Sequence, residues 1–185
     1  MKTEQQYFEE SKEMKVYMED MSQLKEQSFA IYESFEVAQE DAFIENLKNA
    51  NVHILAITED WCGDAMLNNP IIRKVAEAAN VEIRTALRDA DTDLIDRYLT
   101  NGGRAIPIYI ILNEMGEVLG KWGPRAPQLQ QFVMDNRAQL PDKEDPNFEE
   151  AQKAMYENFR IQYTENPQMW SYVYEDFKKT VAAIL

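Results

Sequence analysis

The sequence predicts an α/β fold: a central four-stranded mixed sheet flanked by helices, with extra N- and C-terminal helices. Three observations predict it. Short apolar runs rich in Ile and Val alternate with helical patterns between residues 52 and 122. The last two of these runs are joined only by the short turn of NEMGE. The segments on either side carry apolar residues at helical spacing. Apolar strands separated by helices are central strands covered on both faces, and two strands joined by a short turn must be antiparallel.

Residues 1–39 predict an N-terminal helical extension, because Tyr7, Met14, Tyr17, Met18, Met21 and Leu24 recur on one face of a helix with no proline or glycine between them. The core, residues 40–138, opens with the same pattern at Phe43, Ile44 and Leu47. It continues with a strand at VHILAIT (52–58), a helix from about Cys62 to Ala79, a strand at VEIRTAL (81–87) and a helix near 91–100. IPIYIIL (106–112) and EVLGKW (117–122) then form the hairpin, and a helix over 125–139 is ended by Leu140-Pro141. Residues 139–185 predict a C-terminal helical extension with an apolar stripe of Phe148, Met155 and Phe159, then Trp170, Tyr174, Phe177 and Val181. At 185 residues the chain suits a single decorated domain. Isolated helices of this length are marginal in water, so both extensions must dock on the core or on another copy.

The net charge of −14 opposes any partner that is itself polyanionic, so nucleic acid is not an expected partner. Neither an 18-residue apolar run nor an apolar signal core in MKTEQQYFEE is present, which predicts no membrane association and a cytoplasmic location. No cofactor or metal is expected. Zinc needs several cysteine, histidine or acid ligands, and the chain has one cysteine, Cys62, and one histidine, His53, which falls in a strand run. DADTD (89–93) lacks the glycine and glutamate of a calcium loop and reads as a helix N-cap; NGGR (101–104) is too short for a phosphate loop and precedes a strand.

WCGDA (61–65), placed after an apolar strand and at the first turn of a long helix, resembles the Trp-Cys-Gly-Pro-Cys motif of the thioredoxin superfamily. RAIPIYIIL resembles that family's Arg-Gly-Ile-Pro-Thr segment, with Pro107 lying 45 residues after Cys62, and GEVLGKWG resembles its closing hairpin strand with a terminal glycine, Gly123. The resemblance covers about residues 40–138 and implies a thioredoxin-like fold. It also implies a cis Ile106–Pro107 bond and a peptide-binding groove beside it. TEDWCGDA with helical flanks is most similar to a bacterial thioredoxin-like subfamily.

The departures from that pattern shape the expected chemistry. Ala65 stands where thioredoxins have their second cysteine, Asp64 where they have proline, and Ala56 where they have a buried acid. Without a second thiol, a mixed disulfide at Cys62 has no internal thiolate to resolve it, so only monothiol exchange is open. A helix N-terminus favours the Cys62 thiolate by about 0.3–1 kcal/mol when exposed and up to about 2 when partly buried. Asp64, with Glu59 and Asp60 nearby in sequence, opposes it: one carboxylate at about 7 Å and an effective dielectric of about 20 contributes about 2 kcal/mol. The position at the lip of the fold predicts a reactive thiol rather than a buried inert one.

The resemblance thus assigns Cys62 as the catalytic residue and Trp61, Gly63, Asp64, Arg104, Ile106 and Pro107 as substrate-binding residues, with Arg104 able to favour the thiolate if its loop faces the motif. Two readings stay open. One is a monothiol thiol–disulfide exchange protein acting on protein or small-thiol mixed disulfides. The other is a redox-inactive thioredoxin-fold module whose groove binds a protein.

Overall fold

Along β2 (His53–Thr58) the side chains of Ile54 and Ala56 enter one apolar layer, while those of Leu55 and Ile57 enter the other. Both faces of this strand are covered, which is why HILAIT shows no polar alternation. The computed structural model describes residues 1–185 and builds the sheet outward from β2. β3 (Ile83–Leu87) pairs parallel to it, and β4 (Ile108–Leu112) pairs antiparallel on its other side. β5 (Val118–Trp122) returns antiparallel to β4 after a turn that Gly116 makes at a φ of 83°.

All four expected strands are present, and a fifth joins them. β1 (Lys12–Glu13) pairs antiparallel with β3, giving the order β1-β3-β2-β4-β5. The N-terminal extension is therefore not purely helical. Two exposed residues leave no periodicity, so this strand had no signal in the sequence.

The amphipathic pattern of that extension is divided among α1 (Glu4–Glu10), α2 (Met14–Glu19) and α3 (Lys25–Ser34). The break before α3 has a specific cause: the backbone N–H and hydroxyl of Ser22 both donate to Asp60, at 2.9 and 2.8 Å, and Leu24 turns the chain at a φ of 57°. α4 (Ala42–Asn49) is capped by Asp41. α5 (Gly63–Ala78) has Cys62 as its N-cap. The helix expected near 91–100 shortens to α6 (Thr92–Ile95), because the chain reverses through Asn101 and Gly102, both at positive φ, and Thr100 pairs with Gly103.

α7 (Pro127–Arg137), α8 (Phe148–Glu165) and α9 (Pro167–Ile184) complete the chain. α9 lies across β5 and α5 with Val173, Phe177 and Val181 fully buried, and α8 packs against α3, α5 and α7. The helices before β2 and after α7 thus pack their apolar stripes against the sheet and α5. α8 in particular is brought over the first turn of α5.

Candidate functional site

β2 delivers the chain to residue 58, and the loop Glu59–Trp61 carries it to the N-cap of α5. Cys62 there has an extended backbone, φ −82° and ψ 122°, and no side-chain cap. Its thiol instead donates to the carbonyl oxygen of Ile106 at 3.7 Å. The Ile106–Pro107 bond is cis, as the resemblance implied. Gly123 packs against this segment at a φ of 124°, where a Cβ would run into the carbonyl of Pro107. Behind the thiol lies a neutral polar cluster: Asn69 donates to Thr58 at 3.0 Å, and Tyr109 donates to Asn69 at 2.6 Å. The position where thioredoxins have a buried acid is buried here too, but it is Ala56 and carries no carboxylate.

The Cys62 thiol is pushed up to about 11. Burial is the largest cause and the Asp64 carboxylate the second; the backbone N–H groups of Ala65 and Asp64, and the Arg125 guanidinium, pull the other way without prevailing. The expected contest between helix dipole and carboxylate left out the dominant factor, desolvation of a half-buried sulfur packed on the apolar layer of the sheet. The low-pKa thiol expected from position alone is corrected accordingly. Burial and the Asp64 carboxylate together favour the protonated thiol.

The other acids of the motif are engaged. Asp60 is held by Ser22, and Glu59 accepts the backbone N–H of Asp89 at 3.0 Å. Burial would raise the Asp60 carboxyl, but the Ser22 donors and the Gln23 N–H outweigh it and leave it below the ordinary range. Asp64 is bound by the guanidinium of Arg125 through two contacts at 2.8 and 2.9 Å and accepts the Tyr163 hydroxyl at 3.2 Å. Arg125 is placed by the loop after β5, where Asn68 of α5 donates to the carbonyl of Pro124 at 2.8 Å.

The structure does not bring Arg104 to the thiol. Its guanidinium pairs with Asp96 at 2.8 Å in solvent, and the arginine that bears on Cys62 is Arg125. Trp61 is 44% exposed, with the Arg88 guanidinium 4.9 Å above its ring, so it is not a core aromatic. Gly63 is open, with nothing within 4 Å of where a Cβ would stand. His53 is half-buried against Phe8 and bonds Gln5 at 2.6 Å; burial lowers its pKa. Asp91 is the N-cap of α6, as DADTD suggested.

Trp61, Cys62, Gly63 and Asp64 together form one wall of a cleft of about 430 Å³. The opposite wall was not read from the sequence. It comes from α8, with Tyr156, Phe159 and Tyr163, and from Arg125, Arg137 and Arg160. Periodicity marked Phe159 only as core, and no local pattern ties a residue of a terminal extension to a motif about 100 positions earlier. The Gly-Pro-Arg sequence after β5 is the one local hint to Arg125.

The thioredoxin family model matches residues 11–144. The chain belongs to the thioredoxin family. Two solved structures share its fold at 16% identity. A protein of unknown function from Pseudomonas aeruginosa has a TM-score of 0.59, with 95% of this chain and 99% of that chain covered. An HIV epitope-scaffold has a TM-score of 0.57, with 94% and 99% covered. None of the curated proteins matches this sequence. No helix of this family member is long and apolar enough to cross a membrane.

Proposed function

We propose that this thioredoxin-family protein carries out slow monothiol exchange at Cys62 with protein or small-thiol mixed disulfides. Residues 40–138 act as the thioredoxin-like core and the two extensions shape access to the thiol. The observation that carries the reading is the placement of the Cys62 thiol between the Ile106 carbonyl, 3.7 Å away, and an open cleft beside the first turn of α5. A disulfide entering that cleft meets the sulfur directly. The Cys62 sulfur gives up its proton and attacks one sulfur of the mixed disulfide. The S–S bond breaks, the expelled thiolate takes a proton, and Cys62 is left disulfide-bonded. A second small thiol then attacks that bond and returns Cys62 as a thiol, so the cycle needs no second cysteine. Trp61, Gly63 and Asp64 border the incoming disulfide, and Ile106 and Pro107 offer backbone to an extended chain. Arg104 has no part in this geometry.

One observation favours the second reading, a redox-inactive binding module. Burial first and the Asp64 carboxylate second push the Cys62 thiol up, which disfavours the thiolate that exchange needs. Intact-mass spectrometry after incubation with a peptide disulfide-bonded to a small thiol separates the two. Exchange predicts an adduct on Cys62 that is absent in Cys62→Ser and is removed by added small thiol. A thiol that stays free, under conditions where a model peptide thiol exchanges fully, selects the binding module.

A further inference from the structure

Two clefts flank the motif loop, and they differ in sign. One gathers Glu10, Asp20, Glu59, Asp60 and Asp91 against Lys2 and Lys12. The cleft at Cys62 gathers Arg125, Arg137 and Arg160 against Asp64 alone. In a chain of 33 acids and 19 bases, that is a local reversal of sign. The charge of Arg125 is already matched by Asp64. Arg160 reaches only Glu157, across 3.9 Å at the surface, and Arg137 makes no ion pair. Two guanidinium groups therefore face the cleft with no hydrogen-bonded carboxylate. Tyr156 and Phe159 line the same cleft and offer an apolar surface for a short methylene chain. A guanidinium fork matches a carboxylate in plane and spacing, and a cleft of one sign concentrates ligands of the other.

We propose that this cleft binds the carboxylates of a small anionic disulfide and sets its sulfur against Cys62. The sulfur chemistry rests on the exchange reading above; the anion site does not. The step is an exchange with no net oxidation: the bond within the small disulfide breaks, a bond from Sγ to one of its sulfurs forms, and the other sulfur leaves with the proton that Sγ held.

Three symmetric disulfides test it on the full chain: dithiodipropionate, which is anionic, hydroxyethyl disulfide, which is neutral, and cystamine, which is cationic. The rate of adduct formation at Cys62 is read by intact mass and divided by the rate of each disulfide with free mercaptoethanol. The net charge of −14 by itself favours cystamine. The cleft predicts the reverse order, dithiodipropionate ahead of cystamine by roughly tenfold at low salt, with the gap closing as salt rises. The double variant R137Q/R160Q, at two exposed positions, should lose that preference. Suberate has the length of dithiodipropionate without its sulfurs. It should slow alkylation of Cys62 in the parent protein and not in the double variant. Cystamine reacting fastest, with no protection by suberate, overturns the proposal. Protection by suberate with no adduct from any disulfide upholds the anion site and overturns exchange.

Discussion

The carboxylate of Asp64, two residues along the chain from Cys62, is held by the guanidinium of Arg125 at 2.8 and 2.9 Å. The pair is mostly buried, with 15% and 17% of the two side chains exposed. Asp64 thus does two things. It raises the thiol, and it fixes the arginine that lowers it. It also accepts from Tyr163, which ties the first turn of α5 to α8.

Asp64→Asn removes the like charge and leaves the helix N–H groups in place, and the asparagine carbonyl can still accept from Arg125, so the Cys62 pKa should fall, by about one pH unit at low salt. Arg125→Met should move it the other way, since the carboxylate would then act on the sulfur unopposed. Titration of thiolate absorbance in both variants checks this. An unchanged value in Asp64→Asn means that its charge does not set the state of Cys62.

Alkylation of Cys62 by iodoacetamide should climb with pH up to an inflection near 11, well above the ordinary thiol value of 9.0. The cause works through burial, so the denatured chain should regain the ordinary inflection. By linkage, the folded form holds its proton where the unfolded form has lost it. The contribution of this group to stability is therefore present below 9.0 and is lost as pH rises through about 11. Cys62→Ala should lack that component.

The protein should not reduce insulin with thioredoxin reductase as the only electron source, because the reductase needs a disulfide and Cys62 has no partner thiol in this chain. Efficient turnover without an added small thiol would remove the monothiol reading.

Much of this arrangement was legible in the sequence because it is local. The strand runs and the helix start at Cys62 carry their signal within a few residues, whereas the cis Ile106–Pro107 bond and the glycine at 123 were expected only from the resemblance to the thioredoxin superfamily. β1 was not legible, since two exposed residues at a sheet edge have no pattern. The cleft was not legible either: Tyr156 and Arg160 reach it only through the docking of α8, Arg125 comes from the loop after β5 and Arg137 from the end of α7, and a stripe says which face is buried, not what lies beneath it. The thiol's state was misjudged for the same reason. Helix position can be read from order along the chain, whereas desolvation depends on what packs on top.

The last prediction concerns that docking. Asp41 is the N-cap of α4, accepting the N–H of Phe43 at 3.0 Å, and it also accepts Tyr174 at 2.7 Å and Lys178 at 2.9 Å, both from α9. Lys178 is the main cause that holds its carboxyl below the ordinary 3.8, helped by Tyr174 and the cap and opposed by burial. A depressed carboxylate adds stability that is fully present above the unfolded value of 3.8 and is lost as pH falls through the lower folded value. Asp41→Ala should therefore lower stability near neutral pH by roughly 2 kcal/mol, combining a lost cap with two lost hydrogen bonds at a partly exposed site. The difference from the parent should shrink in acid, once the parent's carboxylate is itself protonated. Urea unfolding followed by tryptophan fluorescence suits the test, because Trp122 and Trp170 are buried, against and within α9. If the variant differs by the same amount at every pH, or not at all, the carboxylate does not fasten α9 to α4, and the C-terminal extension is held by its apolar stripe alone.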